Sequence, residues 1–67
     1  MKAYYLTKKE YDKVHDLLIK SESNVIRYHG LIVEYLENEN EIICTYEKDV
    51  LSGKYEWYFI PNPADYE

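Results

Sequence analysis

The chain has 67 residues, of which 46% are hydrophobic and 31% charged, and its formal net charge is −5. This length allows one domain only, and this composition excludes disorder as the state of most of the chain. The single cysteine, Cys44, excludes an intramolecular disulfide, and the N-terminus has no apolar stretch of signal-peptide length. No segment approaches the roughly 20 apolar residues of a membrane span, so we expect a cytoplasmic protein.

Charge is distributed unevenly along the chain. Residues 1–20 hold five lysines against three carboxylates, whereas residues 21–67 hold three basic residues against ten acidic ones. Nine residues are tyrosine, a side chain that suits half-buried surfaces and interfaces because it joins an apolar ring to a hydroxyl group. The second part of the chain therefore predicts an acidic, tyrosine-rich surface that attracts basic proteins and repels nucleic acid.

The first elements in chain order are a short strand and a helix. Residues 2–6 favour a strand, and Thr7 with Glu10 forms a T-x-x-E capping box that predicts a helix beginning at Thr7. Leu6 and Tyr11 occupy the hydrophobic-staple positions, and apolar residues then recur at helical spacing as far as Leu18. The polar cluster at residues 21–24 is expected to end the helix.

The remaining elements are predicted to be strands, because the apolar residues now alternate and β-forming residues dominate. The four predicted strands are residues 25–28, 31–36, 42–47 and 54–60. Residues 37–41 are expected to form a hairpin connection and residues 48–53 a loop. Gly30 fits either a tight turn or a bulge within one long strand.

These elements predict an α+β fold of the β-α-β-β-β type, with one helix packed on one face of an antiparallel sheet of four to five strands. Residues 1–60 form the single domain and residues 61–67 a C-terminal tail. If the hairpin pairs Ile32 with Tyr46 and Glu34 with Cys44, Tyr35 lies on the sheet face that one helix cannot reach, and we assign Tyr58 to the same face. Both faces are apolar, which indicates a cover for the second face such as a homodimer.

Three side chains are candidates for chemistry, and each fits a structural role better. Cys44 lies in the middle of a predicted strand, where a thiol behaves as a small hydrophobe. His15 and His29 lack the spacing of a zinc site. We therefore predict no enzyme activity, no metal and no cofactor. Three lysines on one helix face, Lys9, Lys13 and Lys20, are typical of a solvated face, so no direct nucleic-acid binding is expected.

The acidic segment at residues 37–41 has two interpretations. Carboxylates at every second residue of an extended chain would repeat about every 6.6 Å, a row of charge that mimics nucleic acid. The same residues also fit a solvated turn, which would break that row. The segment does not match a calcium loop, which needs a glycine and a terminal glutamate at fixed offsets.

The sequence predicts a small acidic, non-enzymatic module that binds a protein partner with a basic surface. In size, charge and aromatic content it resembles the small acidic proteins of phages and mobile elements that block host enzymes, including anti-restriction and anti-CRISPR inhibitors. That resemblance implies a target with a basic nucleic-acid groove. The predicted partner-binding residues are Tyr35, Glu37, Glu39, Glu41, Glu56 and Tyr58.

An alternative prediction is an oligomer that binds or sequesters a small, nucleotide-like ligand. Its clefts would be lined by aromatic residues that stack on a base-like ring. The residues assigned to such clefts are Tyr28, Tyr35, Trp57 and Tyr58.

Overall fold

Thr7 caps the main helix, as predicted. The computed structural model describes residues 2–66, in which α1 spans Lys8–Lys20. The Thr7 hydroxyl accepts a hydrogen bond from the Glu10 amide at 3.2 Å, and the Glu10 carboxylate accepts one from the Thr7 amide at 3.3 Å. On α1, Val14 and Leu18 are buried, whereas Ile19 is 70% exposed. Neither this helix nor any other in the described part of the chain is long and apolar enough to cross a membrane.

Five strands form one sheet in the order β1-β5-β4-β3-β2. The strands are β1 (Lys2–Ala3), β2 (Val25–Tyr28), β3 (Leu31–Leu36), β4 (Glu41–Tyr46) and β5 (Tyr58–Ile60). The α+β class, the single main helix and the upper strand count are confirmed. The sheet is nevertheless mixed rather than antiparallel throughout, because β1 pairs with β5 in parallel. The first and last strands are also shorter than predicted.

A second short helix replaces the loop predicted at residues 48–53. Helix α2 spans Glu47–Ser52 and ends at Gly53, whose φ of 76° is left-handed. Glycine adopts this conformation without a Cβ penalty, and its amide donates to the carbonyl of Val50. Glu47 and Asp49 lie in the first turn, where negative charge is favourable. These local signals outweigh the strand-like residues on either side.

Gly30 belongs to a tight turn and not to a bulge. His29 and Gly30 have φ values of 44° and 80°, and the flanking residues Tyr28 and Leu31 pair directly across the hairpin. Two consecutive residues with positive φ match the twist of a two-residue hairpin. The turn therefore separates β2 from β3.

The hairpin of β3 and β4 is shifted by one residue from the predicted register. Leu31 lies opposite Tyr46, Val33 opposite Cys44 and Tyr35 opposite Ile42. A shift of one residue moves every side chain of a strand to the other face. Tyr35 therefore packs against the core on the side of α1, and so does Tyr58, which pairs with Cys44. The expectation that these tyrosines lie on the face away from the helix is wrong.

The core lies between α1 and one face of the sheet. Its buried members are Leu6, Val14, Leu18, Tyr28, Leu31, Val33, Ile42, Cys44 and Ile60. Ile43 and Thr45 are also buried, but they lie outside this cluster because they point to the second face. The Thr45 hydroxyl has no hydrogen-bond partner among the described residues.

Residues 61–66, which were predicted as a tail, pack back onto α1. Pro63 is buried in a single 3₁₀ turn, Pro63–Asp65, whose Asn62 cap accepts a hydrogen bond from the Ala64 amide at 3.0 Å. The Tyr66 hydroxyl donates to the carbonyl of Leu6 at 2.6 Å. This packing places Asp65 beside α1. Glu67 lies outside the described residues.

Candidate functional site

A polar cleft of about 420 Å³ lies between α1, the turn that joins β3 to β4, and the C-terminal segment. We call it the acidic cleft. Its aromatic and acidic lining residues are Tyr11, His15, Tyr35, Glu39, Glu41, Phe59 and Asp65. This volume falls within the range of ordinary ligand pockets, roughly 300 to 1,000 Å³.

Aromatic rings form one side of the acidic cleft. Tyr11 and His15 are one helical turn apart, and their rings stack with centroids 6.1 Å apart and an interplanar angle of 19°. Tyr35 donates its hydroxyl hydrogen to the Asn40 side-chain oxygen at 2.8 Å, and Asn40 has a φ of 52°. This bond ties the tyrosine to the turn and fixes the position of both.

Carboxylates give the acidic cleft a negative charge. Burial raises the pKa of Tyr11, and the negative charge of Asp65 is the second cause of that shift. No lysine or arginine lines the cleft, and the four ion pairs found among residues 2–66 do not involve Glu39, Glu41 or Asp65. The cleft therefore favours a cationic group.

The predicted partner-binding residues do not all lie at one site. Tyr35, Glu39 and Glu41 all line the acidic cleft. Glu37 lies in the adjacent turn, where it accepts a hydrogen bond from the Asn24 side chain at 2.9 Å. The remaining two, Glu56 and Tyr58, are not among the cleft residues.

Glu56 and Tyr58 belong to a different part of the sheet. Glu56 pairs with Lys2 at 3.6 Å on the surface. Tyr58 packs edge-on against Tyr4 and Tyr46, with ring centroids 6.4 and 5.7 Å away. Lys48 lies over the Tyr46 ring at 5.7 Å. The three tyrosines therefore already have a cation, the Lys48 ammonium group, beside one of their rings.

The groups considered for chemistry do not assemble into one site. Cys44 is fully buried, and burial raises the pKa of its thiol to about 11. His15 lies in the acidic cleft, while His29 lies in the turn after β2 with its ring against Tyr28. Among residues 2–66, no group of three or more His, Cys, Asp or Glu side chains could hold a metal ion.

The residues assigned to a small-ligand cleft do not line a common one. Tyr28 is a core residue, whereas Tyr35 lines the acidic cleft and Tyr58 belongs to the tyrosine cluster. Trp57 lies next to Tyr55, with ring centroids 5.9 Å apart. A small ligand would therefore meet Tyr11 and Tyr35 rather than the predicted set.

Tyr11 and Asp65 are two of the cleft residues that were not predicted from the sequence. Tyr11 was assigned to the hydrophobic staple alone, although a half-buried tyrosine on a helix can also line a surface. Asp65 was placed in the tail. The Asn62-Pro63 pair is a turn signal that could have predicted the fold-back.

No known protein family, curated protein or solved structure shows significant similarity to this chain. The acidic cleft is therefore interpreted from its own chemistry. Its tyrosine rings and carboxylates together suit a cation, because the face of an aromatic ring is also negative.

Proposed function

We propose that the protein is a non-enzymatic binding module that contacts a basic surface of a partner protein through the acidic cleft. The observation that carries the proposal is the lining of the cleft, which combines tyrosine rings with carboxylates and contains no lysine or arginine. The partner class that fits is a protein with a basic nucleic-acid groove, and the activity we propose is its inhibition. In this proposal the protein is a phage-type inhibitor of a host or defence protein.

The contact we propose is local and not an extended row of charge. Residues 37–40 form a turn, so the carboxylates of Glu37, Glu39 and Glu41 do not follow one extended strand. Mimicry of a regular phosphate backbone is thereby disfavoured. A protruding basic segment of the partner suits the concave shape of the cleft better.

Affinity capture from lysate of the source cell tests this proposal. We expect a basic protein that is retained at about 0.15 M salt and released at about 1 M, where the Debye length is about 3 Å. Replacing Glu39 with glutamine and Asp65 with asparagine should lower its recovery at least roughly fivefold, since each charge contributes a modest part of the attraction.

The matched control removes the same charge elsewhere, through Glu22→Gln and Asp49→Asn. This variant should retain the partner as the unmodified protein does. Capture of acidic partners that resist salt, or equal losses with both variants, would contradict the electrostatic contact.

We also propose a homodimer that covers the second sheet face. Ile32 and Leu36 of β3 and Trp57 and Phe59 of the last strand region are only half-buried there. Packing them against a second copy would bury large aromatic and aliphatic side chains, which gives homodimer interfaces their apolar character. Phe59 also lines the acidic cleft, so such a dimer would adjoin the cleft.

A second candidate function is the binding of a small ligand, which the volume of the acidic cleft favours. Native mass spectrometry of protein purified from cells tests this candidate and the homodimer together. A dimer predicts an ion of twice the 8.1 kDa chain mass. A bound small molecule would favour the ligand function, and a clean mass of the chain alone would count against both.

A further inference from the structure

An apolar groove adjoins the acidic cleft along α1. It has a volume of about 250 Å³ and is lined by His15, Leu18, Ile19 and Tyr35. His15 and Tyr35 line the cleft as well, so they form the boundary between the two compartments. A ligand that lies across this boundary needs an apolar stem and a polar end.

The exposure of Ile19 supports a ligand on the apolar side. This residue is 70% exposed on α1, one helical turn beyond His15 of the Tyr11 and His15 stack. The acidic cleft determines the charge of the polar end, because Glu39, Glu41 and Asp65 line it and no lysine or arginine does. Lysine and arginine combine an aliphatic stem with a cationic head.

We propose that the apolar groove and the acidic cleft together bind one lysine or arginine side chain of the partner. The aliphatic stem lies against Ile19 and Tyr35, and the ammonium or guanidinium group lies among the carboxylates beside the Tyr11 ring. Such a cation gains from the carboxylates and from the aromatic face at once. This inference rests on the proposed function and states which group of a basic partner is recognised.

Titration of the isotope-labelled protein with single blocked amino acids, followed by amide NMR shifts, tests the inference. The probes are N-acetyl-lysine methylamide and N-acetyl-arginine methylamide, and their neutral counterparts carry norleucine and citrulline. We expect saturable shifts for the cationic probes, with a dissociation constant on the order of 1 mM. The shifts should be confined to residues 11–19, 35–42 and 59–65, and the neutral probes should bind roughly tenfold more weakly.

Two substitutions separate the compartments. Asp65→Asn should weaken the cationic probes roughly two- to fivefold, and Ile19→Ser should weaken the lysine and norleucine probes alike. Asp49→Asn removes the same charge on α2, outside the lining of both compartments, and should leave binding unchanged. Equal binding of neutral and cationic probes, shifts outside these segments, or an equal effect of Asp49→Asn would overturn the inference.

The outcomes also distinguish this inference from the proposed function. If a basic partner is captured but the blocked amino acids do not bind, recognition of a single side chain is wrong and the broader contact stands. If the probes bind in the cleft but no basic partner is captured, the cation site stands and the proposed function is wrong.

Discussion

Ile60→Ala is expected to lower the free energy of unfolding by about 2 to 5 kcal/mol, the range for truncating a buried isoleucine. Ile60 is only 2% exposed, and it pairs with Ile42 at the end of β5 within the core. Stability of roughly 0.05 to 0.15 kcal/mol per residue leaves a chain of 67 residues little reserve. We therefore expect a substantial unfolded fraction before any denaturant is added.

Urea titration monitored by circular dichroism measures this loss. Leu51→Ala is the matched control, because Leu51 is 84% exposed on α2 and its truncation should change stability by less than about 0.5 kcal/mol. Similar losses for the two variants would mean that Ile60 is not a core residue.

The second large effect is expected at alkaline pH. Burial raises the pKa of the Cys44 thiol from 9.0 to about 11 in the folded protein. Between these values the unfolded chain releases the proton and the folded protein keeps it, so the unfolded state binds fewer protons and stability falls as the pH rises. The loss from this group should approach a value on the order of 3 kcal/mol above pH 11 and be small below pH 9.

Urea titrations across this pH range, repeated with Cys44→Ala, isolate the contribution of the thiol. Tyr4 and Tyr11 also have pKa values raised above 10.0, mainly through burial, so they add a loss of the same sign that begins near pH 10 and remains in the variant. The substitution should lower stability at neutral pH and flatten its decline above pH 9. If the two proteins lose stability in parallel above pH 9, the thiol is not buried in the folded state.

Local sequence signals were sufficient to predict those elements whose ends are determined by neighbouring residues. The Thr7 and Glu10 capping box fixes the start of α1, and β2 and β3 have the predicted bounds. The register of β3 against β4 was not determined in this way, because Ile32 and Val33 are both apolar and either could face the core. The register is determined by packing between the elements.

The candidate site was predictable only where its residues share one hairpin. Tyr35, Glu39 and Glu41 lie within seven residues of one another, and they do line the acidic cleft. Asp65 reaches the cleft only through the packing of Pro63, a tertiary contact without a periodic signal. Sites that join distant segments generally depend on such contacts.

The parallel pairing of β1 with β5 has a consequence for the order of folding. Lys2 pairs with Tyr58, and Leu6 accepts a hydrogen bond from Tyr66, 60 residues away in the sequence. Closing so long a loop costs entropy that the short hairpins of β2, β3 and β4 avoid. The hairpins can therefore nucleate the structure, and β1 is among the last elements to pair.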